Sequence, residues 1–180
     1  MISDVDHSDI PEFCKYLKRI LSYNPSTGNL RWKERLPLSR GDKIFNGRCA
    51  GNVAGSVGKV NKYVRVTIDD KLYLAHRLAW LMVYGEFPKE HIDHINHDRA
   101  DNRLSNLRSV TRKENQRNQS ISSNSKSGVM GVYWHVKSKA WEAHIGSQYI
   151  GRYQQKCDAV AARKEAERKH GYHPNHGCLA

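Results

Sequence analysis

The chain has 180 residues, 38% hydrophobic, with a mean hydropathy of −0.76 and no apolar run near the roughly 20 residues of a membrane span. Thirty Lys and Arg against 18 Asp and Glu leave a net charge of +12, a field that attracts polyanions and makes nucleic acid the first partner to expect, ahead of a membrane surface. The acidic, polar N-terminus does not read as a secretory signal. The cysteines, at 14, 49, 157 and 178, form no Cys-x-x-Cys pair, which argues against a thiolate zinc site and for free thiols in a reducing cytosol.

In chain order, Ser8 to Pro11 predicts a helix start. That helix runs to about Leu21 and presents Phe13, Leu17, Ile20 and Leu21 on one face. Asn24 to Gly28 predicts a turn, and Asn29 to Lys33 a short strand carrying Trp32. Residues 34 to 60 show weak periodicity and predict mostly loop. Tyr63 to Ile68 and Lys71 to Leu74 alternate as strands of a hairpin turned by Asp69-Asp70. Ala75 to Tyr84 predicts a helix with Leu78, Leu81 and Met82 on one side, ended by Gly85. Its His76 reads as a satisfied structural histidine.

The chemistry gathers between His91 and Asn115. Asp93 offers a hard oxygen ligand suited to Mg²⁺, which prefers carboxylates, waters and phosphate. His94, with an intrinsic pKa near neutrality, can take a proton from attacking water. Neighbouring strand residues point to opposite faces, so both can serve one phosphate only from an irregular strand end. The loop Asn96 to Asn102 allows that. Leu107 to Val110 predicts a second short strand, with Asn106 before it placed to hold the backbone or ring of His94. Thr111 to Glu114 has capping-box spacing and starts a helix whose first turn carries Asn115, an amide able to be a second metal ligand. Arg99, Arg103, Arg108 and Arg112 belong to a basic set (with Lys113 and Arg117) that reads as phosphate clamps.

On these residues the chain resembles the HNH, or ββα-metal, nucleases. The match is nearest to the His-Asn-Asn variant of free-standing and intron-encoded phage homing endonucleases. His76 to Trp80, Asp101 to Arg108, and Tyr23 to Trp32 extend the likeness over roughly residues 15 to 118. The resemblance implies Asp93 and Asn115 as metal ligands, His94 as general base and Asn106 as the residue that orients it. It also implies one Mg²⁺ or Mn²⁺ per site. One position departs: His97 stands where the family usually has glycine, either as a turn residue at positive φ or as a group approaching the scissile phosphate.

A serine-rich stretch follows, and its residues 123–127 predict a linker between a nuclease domain at 1–122 (core motif 75–118) and a module at 128–180. The module predicts a three-stranded antiparallel sheet and a helix at Asp158 to Ala166. Val132, Trp134, Trp141, Ala143, Ile145 and Ile150 face inward, and Tyr133, His135, His144 and Tyr149 outward. Ala159, Ala162 and Ala166 form the helix stripe that packs on the sheet. Gly131-Val132, Trp141-x-Ala143-x-Ile145, Ile150-Gly151 and Asp158-Ala159-x-x-Ala162 resemble the Apetala-type (ethylene-response-factor-like) DNA-binding domain. That likeness places Tyr133, His135, His144 and Tyr149 at DNA-facing positions. The tail from Lys169 to His176 closes the module.

The expectation is therefore an α+β protein: a ββα-metal nuclease domain followed by a sheet packed on one helix. It acts on double-stranded DNA as a monomer or dimer, in the cytoplasm of a phage-infected bacterium. The alternative is a sequence-specific DNA-binding regulator that does not cut.

Overall fold

A computed structural model describes residues 9–117, 121, 125–174, 176 and 177. Ser8, the expected first cap, and Cys178 lie outside the described residues, as do 123 and 124 of the expected linker. The chain is a mixed helix and strand protein built from small antiparallel sheets, and its contacts divide it into two compact units, residues 1–110 and 111–180. This junction precedes the serine-rich stretch, so the short helix after Val110 groups with the C-terminal unit.

The first unit opens with α1 (Ile10–Ile20), which carries Pro11 in its first turn, has no side-chain cap and buries Cys14 and Leu17. A hairpin follows, β1 (Leu21–Tyr23) with β2 (Leu30–Trp32). Its turn is held by the Asn24 side chain, whose Oδ1 accepts from the Ser26 and Thr27 amides at 3.0 and 3.2 Å. Where loop was expected, α2 (Arg40–Arg48) forms. Its start is a complete capping box in which Ser39 and Asp42 satisfy each other's backbone amides. No residue of α2 is buried, which is why hydrophobic periodicity missed it.

Strands β3 (Ser56–Val57), β4 (Val64–Ile68) and β5 (Lys71–Leu74) make an antiparallel sheet in that order. Asp69 and Asp70, at φ 48° and 62°, form the two-residue turn that matches strand twist. Helix α3 (Ala75–Tyr84) ends at Gly85 in the left-handed conformation. It packs on α1, where the Cys14 thiol donates to the Leu81 carbonyl at 3.3 Å. Leu17, Leu21, Val66, Leu78 and Leu81 are fully buried between them. Farther along the chain, β6 (His91–His94) and β7 (Leu107–Val110) form an antiparallel pair registered Asp93 to Arg108 and His94 to Leu107.

The second unit begins with α4 (Arg112–Arg117), capped reciprocally by Thr111 and Glu114. Strands β8 (Val132–His135), β9 (Ala140–Ile145) and β10 (Gln148–Tyr153) form a sheet ordered β10-β9-β8, and α5 (Lys156–Lys169) covers one face. Two expectations change here. Trp134 is 46% exposed, stacked edge-on against Trp141 at 5.3 Å rather than inside the core. The buried stripe of α5 is Ala159, Arg163 and Glu167, at four-residue spacing, not Ala159, Ala162 and Ala166. Arg163 donates to the His144 carbonyl at 2.9 Å and lies 3.1 Å from Glu167, close but not aligned as a hydrogen bond. Its guanidinium also meets His176 Nε2 at 3.0 Å, so the tail folds back on the module with His176 as acceptor.

Candidate active site

Asp93 and His94 end strand β6 and are both buried, at 7% and 4% exposure. Arg108, opposite on β7, donates to one carboxylate oxygen of Asp93 from Nε at 3.0 Å and Nη2 at 2.7 Å. The His94 ring faces the side chain of Asn102, with Nε2 3.3 Å from Oδ1. His76 stands edge-on to the same ring at 5.0 Å, and Tyr63 lies against both at 5.1 and 5.8 Å. Burial lowers the pKa of His94 below its ordinary 6.5, against the opposing pull of the Asn102 acceptor and of Asp93, Asp101 and Asp98. The imidazole is therefore neutral at pH 7, the state a proton acceptor requires.

Asn106 works on the backbone of the loop. Its Oδ1 accepts from the Asn96 amide at 2.9 Å, its Nδ2 donates to the Asp101 carbonyl at 2.8 Å, and its carbonyl accepts from Ile95 at 2.9 Å. These bonds tie both ends of the 96–101 loop to the foot of β7. The side chain that meets the His94 ring is Asn102, whose role the sequence motif did not reveal.

His97 sits within this loop at φ 65°, with its amide donating to the His94 carbonyl at 3.0 Å. That is the left-handed turn glycine adopts without a Cβ penalty. His97→Gly is therefore expected to stabilise the protein by about 0.5–1 kcal/mol, read from the urea midpoint, with cleavage retained. Cleavage lost in a more stable protein would instead mark the imidazole as a phosphate contact.

His76 is buried at 5% exposure, and its Nδ1 has no hydrogen-bond partner among the described residues, so it is not the satisfied histidine its position suggested. Burial, with lesser contributions from His94 and Arg77, pushes its pKa down to about 3. The unfolded chain thus binds a proton near pH 6.5 that the folded chain refuses until about pH 3. This contribution to stability is complete above 6.5 and is lost as pH falls through that window. Between pH 7.5 and 5.5 the unfolding free energy should drop by about 1 kcal/mol on account of His76. Urea titrations at the two pH values should show that drop reduced in His76→Phe.

Arg99, Arg103 and Arg108, expected as phosphate clamps, make contacts within the first unit. Arg103 makes a two-pronged pair with Asp101 at 2.9 and 2.6 Å, and Arg108 holds Asp93. Arg99 lies over the Tyr63 ring at 5.1 Å and donates to the Asn61 carbonyl at 3.3 Å. Arg112 is exposed at the start of α4, in the second unit. Asn115, the other expected metal ligand, also belongs to that unit, half-buried in the first turn of α4. Among the described residues no group of three or more His, Cys, Asp or Glu side chains could hold a metal.

Residues 73–117 match the HNH endonuclease family. The match covers a quarter of the chain and contains Asp93, His94, Asn102, Asn106 and Asn115. No curated protein and no solved structure matches the chain. The HNH segment supports a nuclease, a hydrolase with DNA as substrate. No helix among the described residues is long and apolar enough to cross a membrane.

On the sheet of the second unit, Tyr133, His144 and Tyr149 form a continuous row of rings, with centroids 5.9 and 5.3 Å apart. Tyr133 and Tyr149 are 59% and 51% exposed, and His135 Nδ1 pairs with the Ser138 hydroxyl at 2.6 Å. Glu142 and Arg152 share this outward face as an ion pair at 2.7 Å. They were missed, although Glu142 stands two residues before His144 on one strand and so must face the same way.

Proposed function

We propose that the chain is a metal-dependent DNA endonuclease of the phage homing type, with the C-terminal unit docking it on double-stranded DNA. The observation that carries this reading is the pair Asp93 and His94, buried together at one strand end within the HNH segment, with the His94 ring against Asn102. The Asn102 amide nitrogen donates to the Ala100 carbonyl at 3.2 Å, so its oxygen faces His94. A ring nitrogen that meets a carbonyl oxygen carries the proton, so Nε2 donates and Nδ1 keeps the lone pair that accepts a proton from water. Asn106 keeps the loop in register. Arg108 holds the Asp93 carboxylate in place through one of its oxygens.

The donor chemistry fits a hard divalent ion. By the resemblance to HNH nucleases, Asp93 and the Asn115 amide would supply oxygen, a donor type suited to Mg²⁺ or Mn²⁺. When bound, one such ion stabilises the developing charge on the scissile phosphate and its leaving oxygen. Tyr133, His135, His144 and Tyr149 face the DNA in the second unit, and Arg99, Arg103, Arg108 and Arg112 line its phosphate path, Arg103 and Arg108 while paired with Asp101 and Asp93. One site cuts one strand, so a monomer nicks and a dimer makes a double-strand break. The setting is the cytoplasm of a phage-infected bacterium.

Supercoiled plasmid incubated with the full chain and Mg²⁺ should become nicked circles. DNA that is bound but uncut would leave a sequence-specific regulator as the better reading. Division of labour has its own test. A chain ending at Ser122 should still nick, with weaker site preference and a salt slope reduced by about 0.9 for each lost phosphate contact. Cleavage-site mapping and binding at two salt concentrations measure both effects. Full selectivity in the shortened chain would make the module a structural appendage.

A further inference from the structure

The turn of the N-terminal hairpin lies outside the HNH segment, yet it is built against the catalytic loop. Tyr23 Oη donates to the Asn102 carbonyl at 2.7 Å, across 79 residues of sequence. The Pro25 carbonyl accepts from the Leu104 amide at 3.0 Å. Gly28 has φ +75°, and a Cβ there would come within 2.5 Å of the Arg103 nitrogen and the Asn102 carbonyl carbon. Those are backbone atoms, which cannot step aside as a flexible side chain does. Three contacts from one turn thus converge on residues 102–104, where Asn102 is 3% exposed and its amide lies between Ala100 and His94.

We propose that the Tyr23–Gly28 turn is a positioning element of the nuclease site: it holds the Asn102 backbone so that the Asn102 amide oxygen keeps His94 in the Nε2–H form. Asn102 and Tyr23 are then positioning residues, acting on the proton acceptor without touching substrate. Tyr23 suits the task, since burial pushes its phenol pKa up to about 12 and it remains a donor at any working pH. The geometric demand is steep, because a displacement of about 1 Å at a reacting group can cost about 10²-fold in rate. The inference rests on the reading of His94 as general base.

The test uses the full chain, supercoiled plasmid at saturating Mg²⁺, and ¹⁵N-histidine NMR of the metal-free protein to read the His94 tautomer. Tyr23→Phe keeps the ring and removes the donor; it should lower kcat about tenfold with KM and DNA Kd within twofold. Asn102→Ala should lower kcat about 10²-fold, again without a change in Kd. Because Tyr23 acts through Asn102, the double variant should be no slower than Asn102→Ala alone. Wild-type His94 should be the Nε2–H tautomer and both single variants a mixture. Gly28→Ala should lower kcat about 10²-fold if it folds; if it melts below the assay temperature, Tyr23→Phe decides.

Multiplying losses in the double variant, a wild-type Nδ1–H tautomer, or a folded Tyr23→Phe with unaltered kcat and tautomer would each overturn the proposal. His94→Ala run alongside separates this from the parent reading. Cleavage by that protein sinks the general base itself, whereas an inert His94→Ala beside an unaffected Tyr23→Phe sinks only the brace.

Discussion

Replacing His94 with alanine lowers the rate of DNA cleavage by about 10²–10⁴-fold and leaves DNA affinity within a few fold. The magnitude is that of losing a positioned proton acceptor. The selectivity follows from the site, since His94 is 4% exposed and contributes no charge at neutral pH to hold phosphate. Its lowered pKa adds a signature. A general base works deprotonated, so the acid limb of the wild-type pH–rate profile should be displaced to lower pH than an ordinary histidine would give. Single-turnover nicking of plasmid, with binding measured separately, checks both parts. A variant that cuts as fast as wild type removes His94 from the mechanism.

Asp93→Ala should lower cleavage by about 10²-fold or more at ordinary Mg²⁺ and raise the Mg²⁺ needed for half-maximal rate at least about tenfold. The change removes the sole carboxylate proposed as a ligand. Mg²⁺ binds carboxylate oxygen far better than it binds an amide alone. It also frees Arg108, whose guanidinium is anchored on Asp93 by two hydrogen bonds. A freed cation beside the phosphate should hold DNA as tightly as before or more so, and loss of rate with undiminished affinity is the pattern to look for. Titration of Mg²⁺ against nicking rate measures it. An unchanged metal requirement would take Asp93 out of the ligand set.

Much of this architecture was legible because it is local. The hairpin at β4 and β5 announces itself by alternation around Asp69-Asp70, and α3 by its apolar face and Gly85. Asp93, His94, Asn106 and Asn115 stand out by spacing and residue chemistry. The rest depended on contacts distant in sequence or on signals other than periodicity. Helix α2 buries no residue, so its Ser39-to-Asp42 cap was the signal that could have revealed it. The stripe of α5 was misread because Arg163 and Glu167 are buried as a pair, which an apolar pattern cannot register. Tyr23 reaching Asn102 is a tertiary fact with no local trace. His97 takes the positive φ of one of its two readings, which the glycine expected there pointed to.

The most direct measurement is the conversion of a supercoiled plasmid by the purified full chain, with Mg²⁺ and with a chelator in excess. Nicked circles that form only with the metal, at a rate proportional to enzyme, are the predicted result. Unchanged nicking in the chelator, or bound but intact plasmid with Mg²⁺ present, would contradict the account.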